Sequence, residues 1–223
     1  MSESNIDPVE PGGEMAGGLP LFPATSGDDL ASSLPIPDFR RKRLLFGRIH
    51  LPGQIHVYSA NCRAGDRLRA QLLVPVLPGG GAAMPAFALV AQSLPYSADV
   101  ARLPIDLPAG FSAVVAPPPE ELVAPSRDLT LGVRYYAGPS IDTRTLVSGR
   151  CYLVVWSPLN QMGKYIIQIG HRRAWNSGYW LRFPQTWWQV RGWYDQPRTA
   201  AYIAGAVALA GSLVAWRALS KSS

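Results

Sequence analysis

Few side chains in this 223-residue chain are of types that carry chemistry, so the search for a reactive centre is short. The histidines are His50, His56 and His171. His50 and His56 fall on the two arms of an expected hairpin and His171 follows the last expected strand, so a shared metal would need a tertiary convergence that this spacing does not announce. Structural or surface imidazoles are the expectation. Neither Cys-x-x-Cys nor His-Glu-x-x-His occurs. Glu120 and Glu121 are adjacent, and on a strand adjacent side chains face opposite ways, which separates two carboxylates needed for acid-base work. The run Gly79-Gly80-Gly81 lacks the Lys-Ser/Thr pair and the strand-helix setting of a phosphate loop. Ser59, Ser93, Ser112 and Ser148 all lie outside a Gly-x-Ser-x-Gly turn. A non-catalytic role without cofactor or metal is therefore expected.

Cys62 precedes the Gly65-Asp66 turn and Cys151 opens a strand, positions that meet in a sandwich without being close in sequence. A Cys62–Cys151 disulfide is the expectation for an oxidising compartment, and two buried thiols for a reducing one.

The densest functional signal is physical rather than reactive. Between 172 and 198 stand Trp175, Tyr179, Trp180, Phe183, Trp187, Trp188, Trp193 and Tyr194, interleaved with Arg172, Arg173, Arg182, Arg191 and Arg198. Trp and Tyr suit the boundary between acyl chains and water, where Arg reaches outward to phosphate. Stacking on nucleic acid uses the same residue types, but no nucleic-acid motif accompanies them, and nucleic acid is not expected as a partner. A third reading makes some of these aromatics a cap on the core. Directly after this belt, 199–216 carries no charge, the usual threshold length for a spanning helix, and Arg217 and Lys221 close it. Within the run, Ala201, Gly205, Ala208, Ser212 and Ala215 form a stripe of small residues, on which a second transmembrane helix packs closely.

These groups need a scaffold, and composition indicates its kind. With 21 Gly and 21 Pro in 223 residues and no Gly-X-Y period, turns and short strands are favoured over long helices or collagen. Strands are expected over 47–51 and 54–58, joined as a hairpin by Pro52-Gly53, and over 66–74, where Leu68, Ala70 and Leu72 alternate inward with Arg67, Arg69 and Gln71. Further strands are expected over 86–91, 111–116, 129–136, 150–156 and 164–169. The fold class is mainly β, an antiparallel β-sandwich or jelly roll, with a C-terminal transmembrane helix.

The stretch Thr143-Arg-Thr-Leu-Val-Ser-Gly-Arg-Cys-Tyr-Leu-Val-Val-Trp-Ser-Pro158, followed by Gly163-Lys-Tyr-Ile-Ile-Gln-Ile-Gly170, resembles the end of the pre-peptidase C-terminal-like domains of bacterial extracytoplasmic proteins. Ile55-His-Val-Tyr58 and Gly65-Asp66-Arg-Leu68 resemble their opening strand and turn. The resemblance implies a compact β-sandwich used for binding, targeting or chaperoning. No protease domain accompanies it, and an apolar tail follows instead.

Charge divides the chain. Residues 1–39 hold seven acidic and no basic side chains, whereas 40–223 hold all 21 Lys and Arg. The resulting organisation is an acidic Gly/Pro-rich flexible arm (1–39), with Leu19, Leu21 and Phe22 as its docking point, then a β-sandwich (40–171), an aromatic-basic interfacial segment (172–198), a transmembrane helix (199–219) and a tail (220–223). The expected function is that of a non-catalytic accessory or structural subunit of a bacterial membrane-protein complex, with membrane lipids and an integral membrane protein as partners. The alternative is a membrane-tethered module that binds a ligand or polypeptide. Arg182, Arg191 and Arg198 ahead of the span, together with the absence of a visible signal peptide, favour an inner-membrane protein with a cytoplasmic β-domain. The family resemblance favours the periplasmic side.

Overall fold

The computed structural model describes residues 19–23, 27–78, 83–95, 98–128, 131–170 and 177–195, together with 205 and 207. Eleven strands follow in order: β1 (Leu19–Leu21), β2 (Leu34–Pro35), β3 (Arg43–Ile49), β4 (Ile55–Cys62), β5 (Arg67–Pro75), β6 (Ala86–Gln92), β7 (Phe111–Ala116), β8 (Ser126–Asp128), β9 (Val133–Arg144), β10 (Gly149–Trp156) and β11 (Gly163–Ile169). A 3-10 turn covers Ala98–Arg102, and one helix, α1, spans Ser177–Trp193. One sheet has the order β1-β3-β11-β5-β9-β8 and the other β2-β4-β10-β6-β7. They pack face to face as a sandwich, with Leu45, Leu68, Leu72 and Ile167 from the first sheet meeting Tyr58, Phe87, Leu89 and Leu153 from the second.

Side-chain alternation explains the layering. In β5, Leu68, Ala70 and Leu72 are buried whereas Arg67 is exposed, so a period of two sets one face inward. In β10 every residue from Cys151 to Trp156 is buried: Cys151, Leu153 and Val155 enter the core between the sheets, and Tyr152, Val154 and Trp156 a second apolar cluster outside it. Strands with two apolar faces need covers on both sides. Full burial of one such side chain contributes about 1.5–3 kcal/mol.

Four expectations change. The turn at Pro52-Gly53 forms, with Gly53 at φ 73, but β3 and β4 are not a hairpin, because they belong to opposite sheets. Each already has two neighbours, β1 and β11 for β3, β2 and β10 for β4, so the turn crosses the sandwich instead of closing a ladder. The strand expected over 129–136 begins at Val133 and continues to Arg144. Pairing is not antiparallel throughout, since β1 runs parallel to β3 and β2 parallel to β4. Finally, the described part of the 1–39 segment is built into the fold: Ile36 and Phe39 are buried in the core, and β1 and β2 border the two sheets.

Candidate functional site

At one margin of the sandwich the sheet edge is only partly covered. β1 stops at Leu21, opposite Leu45, while β3 continues to Ile49. Just past that stop Phe22 stacks on Phe46 with ring centroids 4.5 Å apart, and Phe46 meets Trp193 edge-on at 4.9 Å. These rings, Pro23, Arg48, His50, Gln54 and Lys164 surround a cavity of about 520 Å³ whose buried side is formed by Gly47, His56 and Tyr58. That volume falls within the range of roughly 300–1,000 Å³ usual for small-molecule sites.

Behind the cavity a polar chain runs between the sheets. His56 Nδ1 lies 2.5 Å from the Tyr165 hydroxyl, which lies 2.9 Å from the Tyr58 hydroxyl. β4 turns His56 and Tyr58 inward on alternate positions, and β11 brings Tyr165 from the opposite sheet. Gly47 makes this arrangement fit. It pairs with Tyr165 across β3 and β11, and a Cβ at position 47 would lie 2.3 Å from the Tyr165 ring. Glycine inside a strand here marks a close approach.

Protonation in this chain follows from burial. Tyr165 is pushed well above the ordinary phenol range by its removal from water, and Tyr58 rises to about 12 for the same main reason. Burial also lowers His56 to about 4, with the nearby His50 adding to the effect and Asp28 opposing it. All three groups are therefore neutral at pH 7. Counting protons then assigns the imidazole tautomer. If Tyr58 donates to Tyr165 and Tyr165 donates to His56 Nδ1, every phenol proton has an acceptor and only Nε2–H is left over. The reverse direction leaves both the Tyr58 proton and the Nε2 lone pair unmet. The first arrangement strands fewer groups. His56 is 4% exposed, and its Nε2 has no hydrogen-bond partner.

Helix α1 closes the site from the other side. Val190 and Tyr194, both 0% exposed, sit on the outward face of the six-stranded sheet against Leu44, Phe46, Leu73 and Ile166, with Phe183 and Trp193 partly buried beside them. Lys164 fastens the end of the helix: its ammonium donates to the Trp193 carbonyl at 2.5 Å and to the Asp195 carboxylate at 2.6 Å. A lysine at a helix C-terminus meets carbonyls that have no partner within the helix.

The aromatic-basic residues therefore divide. Tyr194 is a correction to the interfacial reading, because a side chain with no exposed surface is closed to lipid, and the burial of Phe183 and Trp193 is shared with the sheet. Trp188 and Leu181 are exposed, and Arg191 lies over the Trp187 ring at 4.9 Å. Tyr179, Trp180 and Arg182 lie in the first half of α1. Arg172, Arg173, Trp175 and Arg198 fall outside the described residues. So do Ala201, Ala208, Ser212 and Ala215 of the small-residue stripe, while Gly205 is helical and a Cβ there would meet no described residue within 4 Å. Among the described residues no helix is long and apolar enough to cross a membrane.

Cys62 and Cys151 do come together, on adjacent strands, with Cys62 opposite Gly149 and Cys151 opposite Ala60. Both are buried free thiols in this structure, and the Cys62 thiol is pushed up by its hydrogen bond to Cys151 and then by burial. His50 and His56 both line the cavity, although the hairpin expected to join their strands does not form. Sequence reasoning missed Gly47, Tyr58, Lys164 and Tyr165. A lone glycine in an apolar strand was the one available signal.

No protein-family model and no curated protein matches the chain. Among solved structures it is similar to MopE, a copper-binding secreted protein of Methylococcus capsulatus, at 15% identity over 55% of this chain and 71% of that one, with a TM-score of 0.27. That likeness is too slight to carry over either fold or copper chemistry.

Proposed function

We propose that the chain is a non-catalytic, membrane-tethered accessory module, a jelly-roll sandwich held at a bacterial inner membrane by its 199–219 segment beside an integral membrane protein. The observation that carries this reading is the locked end of α1. Tyr194 is buried in the sandwich and Lys164 grips Trp193 and Asp195, only a few residues ahead of the uncharged 199–216 run. An anchor joined to so firm a point positions the whole sandwich instead of trailing from it.

Strand order supports the jelly-roll element. Leaving aside β1, β2 and the short β8, the eight remaining strands place first, eighth, third and sixth in one sheet and second, seventh, fourth and fifth in the other, as two interlocked Greek keys do. Kinship with the pre-peptidase C-terminal-like domains belongs to the same proposal. Arg182, Arg191 and Arg198 on the flank ahead of the span favour the cytoplasmic side for the sandwich. Extraction of membranes at high salt and alkaline pH tests the tether: the intact chain stays in the pellet, and a chain ending at Pro197 is released. Release of the intact chain defeats the proposal.

A second reading, that the module binds a ligand, is favoured by one specific observation. His56 lines the cavity with a buried, unpartnered ring nitrogen.

A further inference from the structure

Because apolar loop tips and the exit of the chain share one end of the sandwich, we infer that this end rests on the lipid surface, with Leu51, Leu159 and Met162 entering the headgroup layer and the arginine-bearing opposite end pointing away. The inference rests on the tether proposed above and names the surface that meets lipid beside it.

The tips are apolar and carry no charge. Leu51 is 65% exposed, Leu159 73% and Met162 60%. Residues 50–54, which join β3 to β4, and 157–162, which join β10 to β11, hold no Lys, Arg, Asp or Glu. The two loops stand side by side: Ile49 pairs with Gly163 and Ile55 with Trp156, and Gln54 and Leu159 line one cleft of about 930 Å³. Large apolar side chains gathered at one exposed place mark a surface for another apolar phase.

The chain leaves toward the uncharged 199–216 run from this same end. Lys164, the second residue of β11, holds the Trp193 carbonyl and the Asp195 carboxylate. Thr199 follows Asp195 by four residues, which span at most about 14 Å. The headgroup layer takes up roughly 5–7 Å of that reach. The loops next to Lys164 are therefore brought to the headgroups, where apolar side chains sink about 5–10 Å into the boundary with the acyl chains.

The other surfaces are poorer. The far end lies the length of β4 away, eight residues or about 26 Å, and it exposes Arg63, Arg67, Arg144 and Arg150. The outward face of α1 alternates exposed Leu181 and Trp188 with exposed Gln185 and Gln189.

The test places the full chain in vesicles of equal parts phosphatidylcholine and phosphatidylglycerol, with a bimane fluorophore on one introduced cysteine at a time. Cys62 and Cys151 are buried, and the parent chain gives the background labelling. The label at Met162→Cys is expected to shift to shorter wavelength and to lose about half its emission or more to nitroxide-bearing acyl chains, at low and high salt alike. At Leu146→Cys, a leucine 71% exposed at the far end, the label stays water-like. Adding Leu51→Glu and Leu159→Glu, both on the surface, returns the Met162→Cys label to water while the chain stays in the alkaline pellet. A water-like Met162→Cys label in a chain that still pellets overturns the docking and leaves the tether standing; if Leu181→Cys is then the shielded site, the α1 face meets lipid instead. Release of the chain by alkaline extraction overturns the tether and this inference with it.

Discussion

The two sheets are both apolar on their outward faces, yet they are covered in different ways. Over the six-stranded sheet lies α1, which with the residue just past its end concentrates the contact in the fully buried Val190 and Tyr194. Over the five-stranded sheet lies an irregular segment that spreads its contact across Val100, Leu103, Ile105 and Leu107, each only partly buried. A helix with an apolar stripe makes a discrete fastening, whereas a loop makes a distributed one. The cavity, the His56 chain and the exit toward the uncharged run all sit under the discrete fastening.

The comparison is most directly broken by truncating each cover. Tyr194→Ala is expected to lower unfolding free energy by about 3–5 kcal/mol, the usual cost of removing a large buried aromatic, and Leu103→Ala by about 1 kcal/mol because its side chain is already part-solvated. Denaturant titrations of the two variants decide it, and equal losses would show that the covers are equivalent. A somewhat smaller effect belongs to Gly47→Val. Its side chain collides with Tyr165, so a loss of about 2–3 kcal/mol is expected from overpacking. The His56 titration, followed by NMR, should move toward the ordinary histidine range as Tyr165 is displaced; an unmoved titration would detach the cavity from that contact.

The third effect, absent at neutral pH, is pH dependence. His56 titrates near 4 in the folded chain against about 6.5 when unfolded. Between those values the unfolded chain binds a proton that the folded chain refuses. Stability from this residue is therefore complete above about pH 6.5 and falls as pH drops toward and below 4, by about 3 kcal/mol in all. His56→Phe should remove that part of the slope between pH 6.5 and 4. An identical slope in both proteins would place the acid sensitivity elsewhere and remove this distinction between the two sides.

How much of this was legible in the sequence depends on the kind of information required. The uninterrupted apolar runs of β6 and β10 and the alternation of β5 disclosed strands and their buried faces, because a period of two is a local property. Sheet membership was not local. Pro52-Gly53 announces a turn, but nothing in the turn tells β3 and β4 whether to pair or to cross the core. The polar chain was hidden for the same reason, since His56 and Tyr165 are 109 positions apart and acquire their roles only by meeting. Helix α1 was obscured differently. Phe183, Trp187, Val190 and Tyr194 do recur at helical spacing, but the same aromatic and arginine types also fit a membrane surface, and composition drew the eye before period did.

The short strands that border β3 and β4 also bear on how copies of the chain avoid one another. An open strand edge is a template for a second molecule, and long flat edges invite stacking into aggregates. β1 and β2 occupy both edges on one side of the sandwich, with only three and two residues, and each includes a proline, Pro20 or Pro35, that lacks an N–H to offer. Together they act as a pair of guards. A chain trimmed of these residues would present the seven-residue β3 and eight-residue β4 to its neighbours, turning a self-contained sandwich into one prone to grow edge to edge.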